Sequence, residues 1–313
     1  MLASLMERIP VMIMVTGALV GMAGTLVGSF LVLSGRSMLS DAISHSIILG
    51  IVVVWLLTGQ QTGPIQTIGA AVTGLLTVFL TQALVRTRRM RNDAAIGLVF
   101  PVFFALGVLL LNVYARDVHI DEHTVLLGEI GFIWLDNITI AGYELPRSLV
   151  AMSAITLVNL LFVGVFYKEL KLATFDPMLA RALGFAPGVL SYGLLLLTSV
   201  TAVAAFDAVG VILFVAFVIV PPATAYLLTE RLWLMLVIGC LVSVIASVTG
   251  YILANYWDVS IGGMMAVMTG VAFTLAFLLA PRHGLLPRWW RARRDAAHNR
   301  AAIDDSAEAK RPS

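Results

Sequence analysis

The sequence contains very little charge and almost no cysteine. Only 12% of its 313 residues are charged, whereas 60% are hydrophobic, and an average soluble chain carries about a quarter charged residues. So few charges cannot cover a water-facing surface, which excludes a soluble enzyme. The single cysteine, Cys240, excludes an internal disulfide. The composition therefore indicates an integral membrane protein.

Motifs that bind nucleotides or hydrolyse bonds are also missing. The sequence has no GxxxxGK phosphate loop, so the chain is not expected to hold ATP itself. It has neither HExxH nor GxSxG, the motifs that would suggest an intramembrane hydrolase. We therefore predict a protein that is not an enzyme and that holds no permanent cofactor.

Long apolar runs fill most of the chain. A helix needs about 20 apolar residues to cross a bilayer, and nine runs meet this length, which predicts an all-α bundle. If the first run lay on the membrane surface instead, eight spans would remain. The predicted spans are 10–33, 39–58, 65–85, 94–114, 148–167, 187–206, 208–228, 232–255 and 260–280.

Basic residues fix the expected orientation, because Lys and Arg collect in cytoplasmic connections. If the amino terminus lies on the outer side of the membrane, only three of the 20 basic residues lie on that side: Arg8, Arg116 and Arg147. Residues 1–281 then form the membrane domain and residues 282–313 a basic cytoplasmic tail. Two Trp among the Arg of this tail are more typical of a membrane-interface anchor than of nucleic-acid binding.

Two ionisable residues near the start of the second span form the main candidate metal site. Asp41 and His45 are four residues apart, so a helix places them on one face. Carboxylate and imidazole together suit Zn(II), Mn(II) or Fe(II). The alternative is a simple packing contact between the two side chains. Asp207, between the sixth and seventh spans, is the other acidic residue that intrudes into the apolar parts.

The one long outside connection, residues 115–147, carries a second group of possible ligands. His119, Asp121, His123 and Glu129 lie close in sequence and could form an outer cation-binding site. They could equally belong to a solvated loop. An apolar stretch that begins in this connection at Thr124 is too short to span and predicts a re-entrant or surface helix.

A short helix is predicted after the fifth span, over about residues 175–184. Asp176 is a typical N-cap, Pro177 fits the first helical position, and Gly184 ends the helix. Its apolar residues, among them Met178 and Leu179, would share one face. That face would contact either a protein partner or the lipid headgroups.

Small residues and prolines occur inside the spans. Four glycines of the first span have GxxxG spacings, which permit close helix packing: Gly17, Gly21, Gly24 and Gly28. Pro101, Pro221 and Pro222 are expected to kink the fourth and seventh spans.

Four segments, in this order, resemble the metal-transporting ABC-3 family, the permeases of bacterial manganese, zinc and iron ABC importers. They are SGRSMLSDAISHSIILGI, VHIDEHTVLLGE, KELKLATFDPMLARALG and AFDAVGVILFVAFVIVPPATAYLLT. The resemblance runs from about residue 10 to residue 280. The sequence departs from the family pattern in two ways: Leu49 stands where many members have Pro, and Pro221 and Pro222 replace a more usual Pro-Ala pair.

The resemblance implies a complex in the bacterial inner membrane. Its expected partners are a cytoplasmic ATP-binding subunit, an extracytoplasmic metal-binding protein and a second permease, either identical or a paralogue. The expected fold is similar to that of the vitamin B12 and haem importer permeases. Asp41 and His45 match positions that line the metal path, and Phe175, Asp176 and Pro177 match the segment that docks in the ATPase; Leu179 lies on the same short helix. The competing hypothesis is a self-sufficient secondary transporter or channel driven by an ion gradient.

Overall fold

The chain folds into a bundle of membrane-length helices. The computed structural model describes residues 2–59, 64–114, 130–140, 143–280 and 284–287. Within these residues nine helices are long and apolar enough to cross a membrane, which confirms the predicted all-α fold. They are α1 (Leu2–Leu33), α2 (Met38–Thr58), α3 (Pro64–Arg86), α4 (Asn92–Tyr114), α5 (Arg147–Val165), α8 (Pro187–Val209), α9 (Val211–Leu228), α10 (Leu232–Trp257) and α11 (Ile261–Leu279).

Two short helices, α6 (Tyr167–Phe175) and α7 (Pro177–Ala182), connect α5 to α8. The capped helix that the sequence predicts corresponds to α7, whereas α6 was not anticipated. The Asp176 carboxylate accepts hydrogen bonds from the backbone N–H groups of Met178 and Leu179. Pro177 occupies the first turn, and Gly184 has a φ of +85° beyond the end of the helix. The N-cap, the proline position and the glycine stop are therefore confirmed.

Two other features differ from the sequence prediction. The sixth and seventh spans separate at Gly210, whose φ of +78° favours glycine, so Asp207 lies inside α8 and not between helices. The described part of the short apolar stretch forms a 3-10 helix, Ile130–Leu135, and an antiparallel hairpin of β1 (Asn137–Ile140) and β2 (Tyr143–Pro146) follows it. Ile130 and Ile133 are buried and anchor this 3-10 helix.

Helix α1 lies at the centre of the bundle and packs against α5, α8, α9 and α10. Its glycines permit the close approach that their spacing predicts. A Cβ atom at Gly21 would lie 2.7 Å from Ser243 Cβ, and one at Gly28 would collide with the Val218 carbonyl oxygen. Larger residues would therefore push α9 and α10 away from α1.

Buried hydrogen bonds link the central helices. Thr25 Oγ1 on α1 and Ser243 Oγ on α10 are 2.8 Å apart. Asn159 Nδ2 on α5 donates to Thr201 Oγ1 on α8 at 2.9 Å. Contacts of this kind stabilise helix pairs in lipid, where association gains little from the hydrophobic effect.

The two ends of the bundle differ in charge. Arg36, Arg86 and Arg181 line one cleft beside α7, as expected if these residues share one side of the membrane. At the other end, Asp207 interacts electrostatically with Arg147 and Asp136. The charge bias assigns the arginine end to the cytoplasm and the hairpin end to the outside.

Candidate metal-binding site

Asp41 and His45 lie on adjacent turns of α2 and face each other. The distance from Asp41 Oδ1 to His45 Nε2 is 3.5 Å. About a third of each side chain is exposed, 37% for Asp41 and 33% for His45, while Ala42, Ile43 and Ser44 between them are buried. The helical spacing therefore brings together the two side chains that the sequence predicts, on a partly open face.

This separation fits two ligands of one metal ion. Carboxylate oxygen and imidazole nitrogen each bind transition metals at about 2.1 Å. Two such atoms at a tetrahedral angle lie about 3.4 Å apart. The observed 3.5 Å is longer than an ordinary N–H···O hydrogen bond. An ion could therefore bind both atoms with little movement of either side chain.

Two aromatic side chains of helix α4 pack against the imidazole of His45. The ring centroid of His45 lies 5.9 Å from that of Phe100 and 5.8 Å from that of Phe104, with an edge-on contact to Phe104. Sequence reasoning missed these two aromatic residues, although their spacing of four placed them on one face of α4. These two ring contacts restrict the rotation of the imidazole.

The hydroxyls of the neighbouring serines on α2 donate to backbone carbonyls of the same helix or its start. Ser40 Oγ donates to the Ser37 carbonyl at 2.8 Å, and Ser44 Oγ donates to the Ser40 carbonyl at 2.7 Å. Within the described ranges, no group of three or more His, Cys, Asp or Glu residues is placed to hold a metal ion. Among the described residues, Asp41 and His45 are therefore an incomplete ligand set.

Asp207, the other acidic residue that intrudes into the apolar parts, does not join this pair. Asp207 lies near the opposite end of the bundle, beside Arg147 and Asp136. His119, Asp121, His123 and Glu129 lie outside the described residues, as does the basic tail from residue 288 onward. The outer cation-binding site stays a prediction.

Helix α7 and the residues that flank it present an exposed apolar surface at the arginine end, which we call the α7 surface. Four large apolar side chains form it: Phe175, Met178, Leu179 and Leu183, with exposed fractions of 61%, 81%, 46% and 60%. Ala180 on the opposite side of α7 is fully buried. The short helix is thus fixed to the bundle by one side and free on the other.

Nine membrane-length helices within the described ranges, with two potential metal ligands on one of them, are typical of a membrane transport protein. The ABC 3 transport family matches residues 7–280, and the chain belongs to this family. The chain is 45% identical to the manganese transport system membrane protein MntD of Bacillus subtilis, over 88% of this chain and 94% of that protein. It is 46% identical to the zinc transport system membrane protein TroD of Treponema pallidum, over 88% of this chain and 75% of that protein.

A solved structure shows the same fold. PsaBC from Streptococcus pneumoniae in complex with Fab superposes with a TM-score of 0.74 at 27% identity, over 94% of this chain and 100% of that chain. The family membership and this likeness confirm a multi-pass membrane transport protein.

Proposed function

We propose that the chain is the membrane-spanning permease of an ATP-binding cassette importer that carries Mn(II), Zn(II) or Fe(II) into the cytoplasm. The observation that carries the proposal is the Asp41–His45 pair, 3.5 Å apart on a span of an ABC 3 family protein. Relatives named for manganese and for zinc transport support the class of substrate. The ligand pair suits all three ions, so ligand chemistry alone does not separate them.

The Asp41–His45 pair is better suited to transient binding of a transported ion than to permanent binding. Two protein ligands leave the remaining positions of the ion to water or to further residues, which favours rapid release. A charged carboxylate is costly inside a bilayer unless it binds a cation or a partner. We infer that Asp41 and His45 bind the ion transiently as it crosses.

A second permease copy would complete the complex. An importer needs a path that opens to each side in turn, and two copies that face each other would bring a second Asp41–His45 pair across the axis. Four protein ligands would then be within reach of one ion. We propose a dimer of permeases, identical or paralogous, on this ground.

We assign ATP hydrolysis, which drives the transport cycle, to a separate chain. This sequence lacks a GxxxxGK phosphate loop, and its exposed α7 surface lies at the end assigned to the cytoplasm. We propose that an ATP-binding subunit binds the α7 surface. The conformational change of that subunit on binding ATP would then be transmitted through α7 and α6 to the bundle. An extracytoplasmic metal-binding protein would deliver the ion at the hairpin end.

Reconstitution separates this function from a self-sufficient transporter or channel. The full chain is placed in proteoliposomes with a fluorescent metal indicator inside, either alone or with its ATP-binding and metal-binding partners. We expect metal to accumulate only in the complete complex and only with ATP. Metal accumulation by the chain alone, driven by an imposed proton or ion gradient, would overturn the proposal.

A further inference from the structure

A basic cleft lies beside α7 at the end of the bundle assigned to the cytoplasm. It has a volume of about 500 Å³ and lies between the loop after α1, the end of α3, the α6–α7 segment and the start of α8. Arg36, Arg86 and Arg181 reach it from three different segments. We call it the arginine cleft. The proposed transport reaction does not use it.

No acidic side chain of the described ranges balances the positive charge of the arginine cleft. No carboxylate is among the described residues that line it, and the three arginines form no ion pair within the described part of the chain. The Nε atom of Arg36 is buried without a hydrogen-bond partner. Burial lowers the pKa of Arg36, because removing a guanidinium from water without a counter-charge costs free energy. An anion in the cleft would remove that cost.

A helix start adds further attraction for an anion. The first residues of α8, Pro187 and Gly188, line the cleft. The N-cap residue of α8 is Ala186, and no side chain caps this end. A helix of 23 residues has a partial positive charge at such an end, with backbone N–H groups free to bind an anion. The unpaired arginines and the uncapped start of α8 therefore both attract an anion to the arginine cleft.

Tyr192 orients one of the arginines. The guanidinium carbon of Arg86 lies 5.3 Å from the centre of the Tyr192 ring, within the range of a cation–π contact. A guanidinium fixed in this way presents its N–H groups as a planar fork, which matches the oxygens of a phosphate group.

We propose that the arginine cleft binds a phosphate group, and that its source is the headgroup of an anionic phospholipid of the cytoplasmic leaflet. Basic pockets between membrane helices at the cytoplasmic surface are suited to such headgroups. Leu33 and Leu190 line the same cleft and provide an apolar surface for the glycerol part of the lipid. Bound lipid would tie α7 to the ends of α1, α3 and α8.

The ATP-binding partner is not the expected occupant. On a helix each residue turns by about 100°, so Pro177 and Arg181, four residues apart, share one side of α7 and face the cleft. Met178 points about 60° and Leu179 about 160° away from Arg181 around the same helix. A protein seated on the α7 surface therefore leaves the arginine cleft to another ligand.

Native mass spectrometry of the purified full chain in detergent tests this proposal. The chain is titrated with dioleoylphosphatidylglycerol and, separately, with dioleoylphosphatidylcholine. We expect tighter binding of phosphatidylglycerol. The double variant Arg36→Gln/Arg86→Gln should weaken that binding by about fivefold per arginine, or about 25-fold in all. The matched control is Arg88→Gln/Arg89→Gln, two exposed arginines of the α3–α4 loop that do not line the cleft.

The outcomes separate the possible ligands. Loss of phosphatidylglycerol binding in the cleft variant, with binding retained in the control, supports the site. Displacement of the lipid by millimolar inorganic phosphate would support the phosphate site and identify a soluble anion as a competing source. Equal loss in both double variants would overturn the proposal, because it would indicate general charge attraction only. Unchanged lipid binding in the cleft variant together with loss of the ATP-binding subunit would also overturn it and assign the arginines to that partner.

Discussion

The backbone N–H of Leu179 donates a 2.9 Å hydrogen bond to the Asp176 carboxylate, so the residue that caps α7 also holds the backbone of a residue of the α7 surface. One carboxylate caps the helix and thereby sets the direction in which Leu179 points. Only six residues form α7. Because isolated helices of this length are not stable in water, the cap and the buried Ala180 together define its position.

Removal of the cap should loosen α7. Asp176→Ala is expected to cost about 1 kcal/mol of local helix stability. We predict less metal transported per ATP hydrolysed, with unchanged membrane insertion. Asp176→Asn retains a capping oxygen and should keep most of the coupling. Equal coupling in both variants and in the unchanged protein would show that α7 does not need its cap.

A charge on the α7 surface should disrupt partner binding. Leu179→Glu places a carboxylate where we propose that an apolar protein surface docks, and burial of an unpaired charge is costly. We predict at least a tenfold loss of ATPase association, measured by co-purification in detergent. Lys171→Glu on α6 is the control for added negative charge at an exposed position. If the Leu179 variant retained full association and uptake, the docking role of this surface would have to be abandoned.

Contact between α1 and α9 depends on a glycine. Gly28→Ala would place a Cβ against the Val218 carbonyl, and overpacking of this kind typically costs about 1–3 kcal/mol. We predict a lower midpoint of thermal unfolding in detergent. Gly164→Ala is the matched control, because a Cβ at Gly164 meets no atom within 4 Å. Equal unfolding midpoints for the two variants would argue against tight packing at Gly28.

Orientation is testable with single cysteines in a Cys240→Ser background. Asp136→Cys should react with an impermeant thiol reagent on intact spheroplasts, because the hairpin end is assigned to the outside. Arg89→Cys should react only after the membrane is permeabilised. The reverse pattern of labelling would contradict the assigned orientation.

The fold could largely be predicted from the sequence, because apolar runs of about 20 residues leave few alternatives in a bilayer. The cap at Asp176 could be predicted because it depends on local chemistry alone. The break at Gly210 was harder to place, since apolar residues on both sides of Asp207 provide no sharp boundary. The hairpin was missed because Asn137–Ile140 and Tyr143–Pro146 are too short for a clear alternating pattern.

The candidate site could be predicted only in part. The Asp41–His45 pair follows from spacing within one helix. The contacts of His45 with Phe100 and Phe104 join α2 to α4 and depend on tertiary packing, which one sequence does not reveal. The same reason applies to the arginine cleft, whose three arginines are separated by up to 145 positions, from Arg36 to Arg181.

Metal uptake by Asp41 and His45 variants tests the central claim most directly. Accumulation of radioactive Mn(II) and Zn(II) is measured in cells that express the full complex, at matched expression, for Asp41→Asn and His45→Ala. The control is Asp93→Asn, an exposed carboxylate in the first turn of α4. We predict that both site variants abolish uptake in a complex that still assembles and hydrolyses ATP, whereas the control transports normally. Normal accumulation by either site variant would show that the pair is a packing contact and that the metal path lies elsewhere.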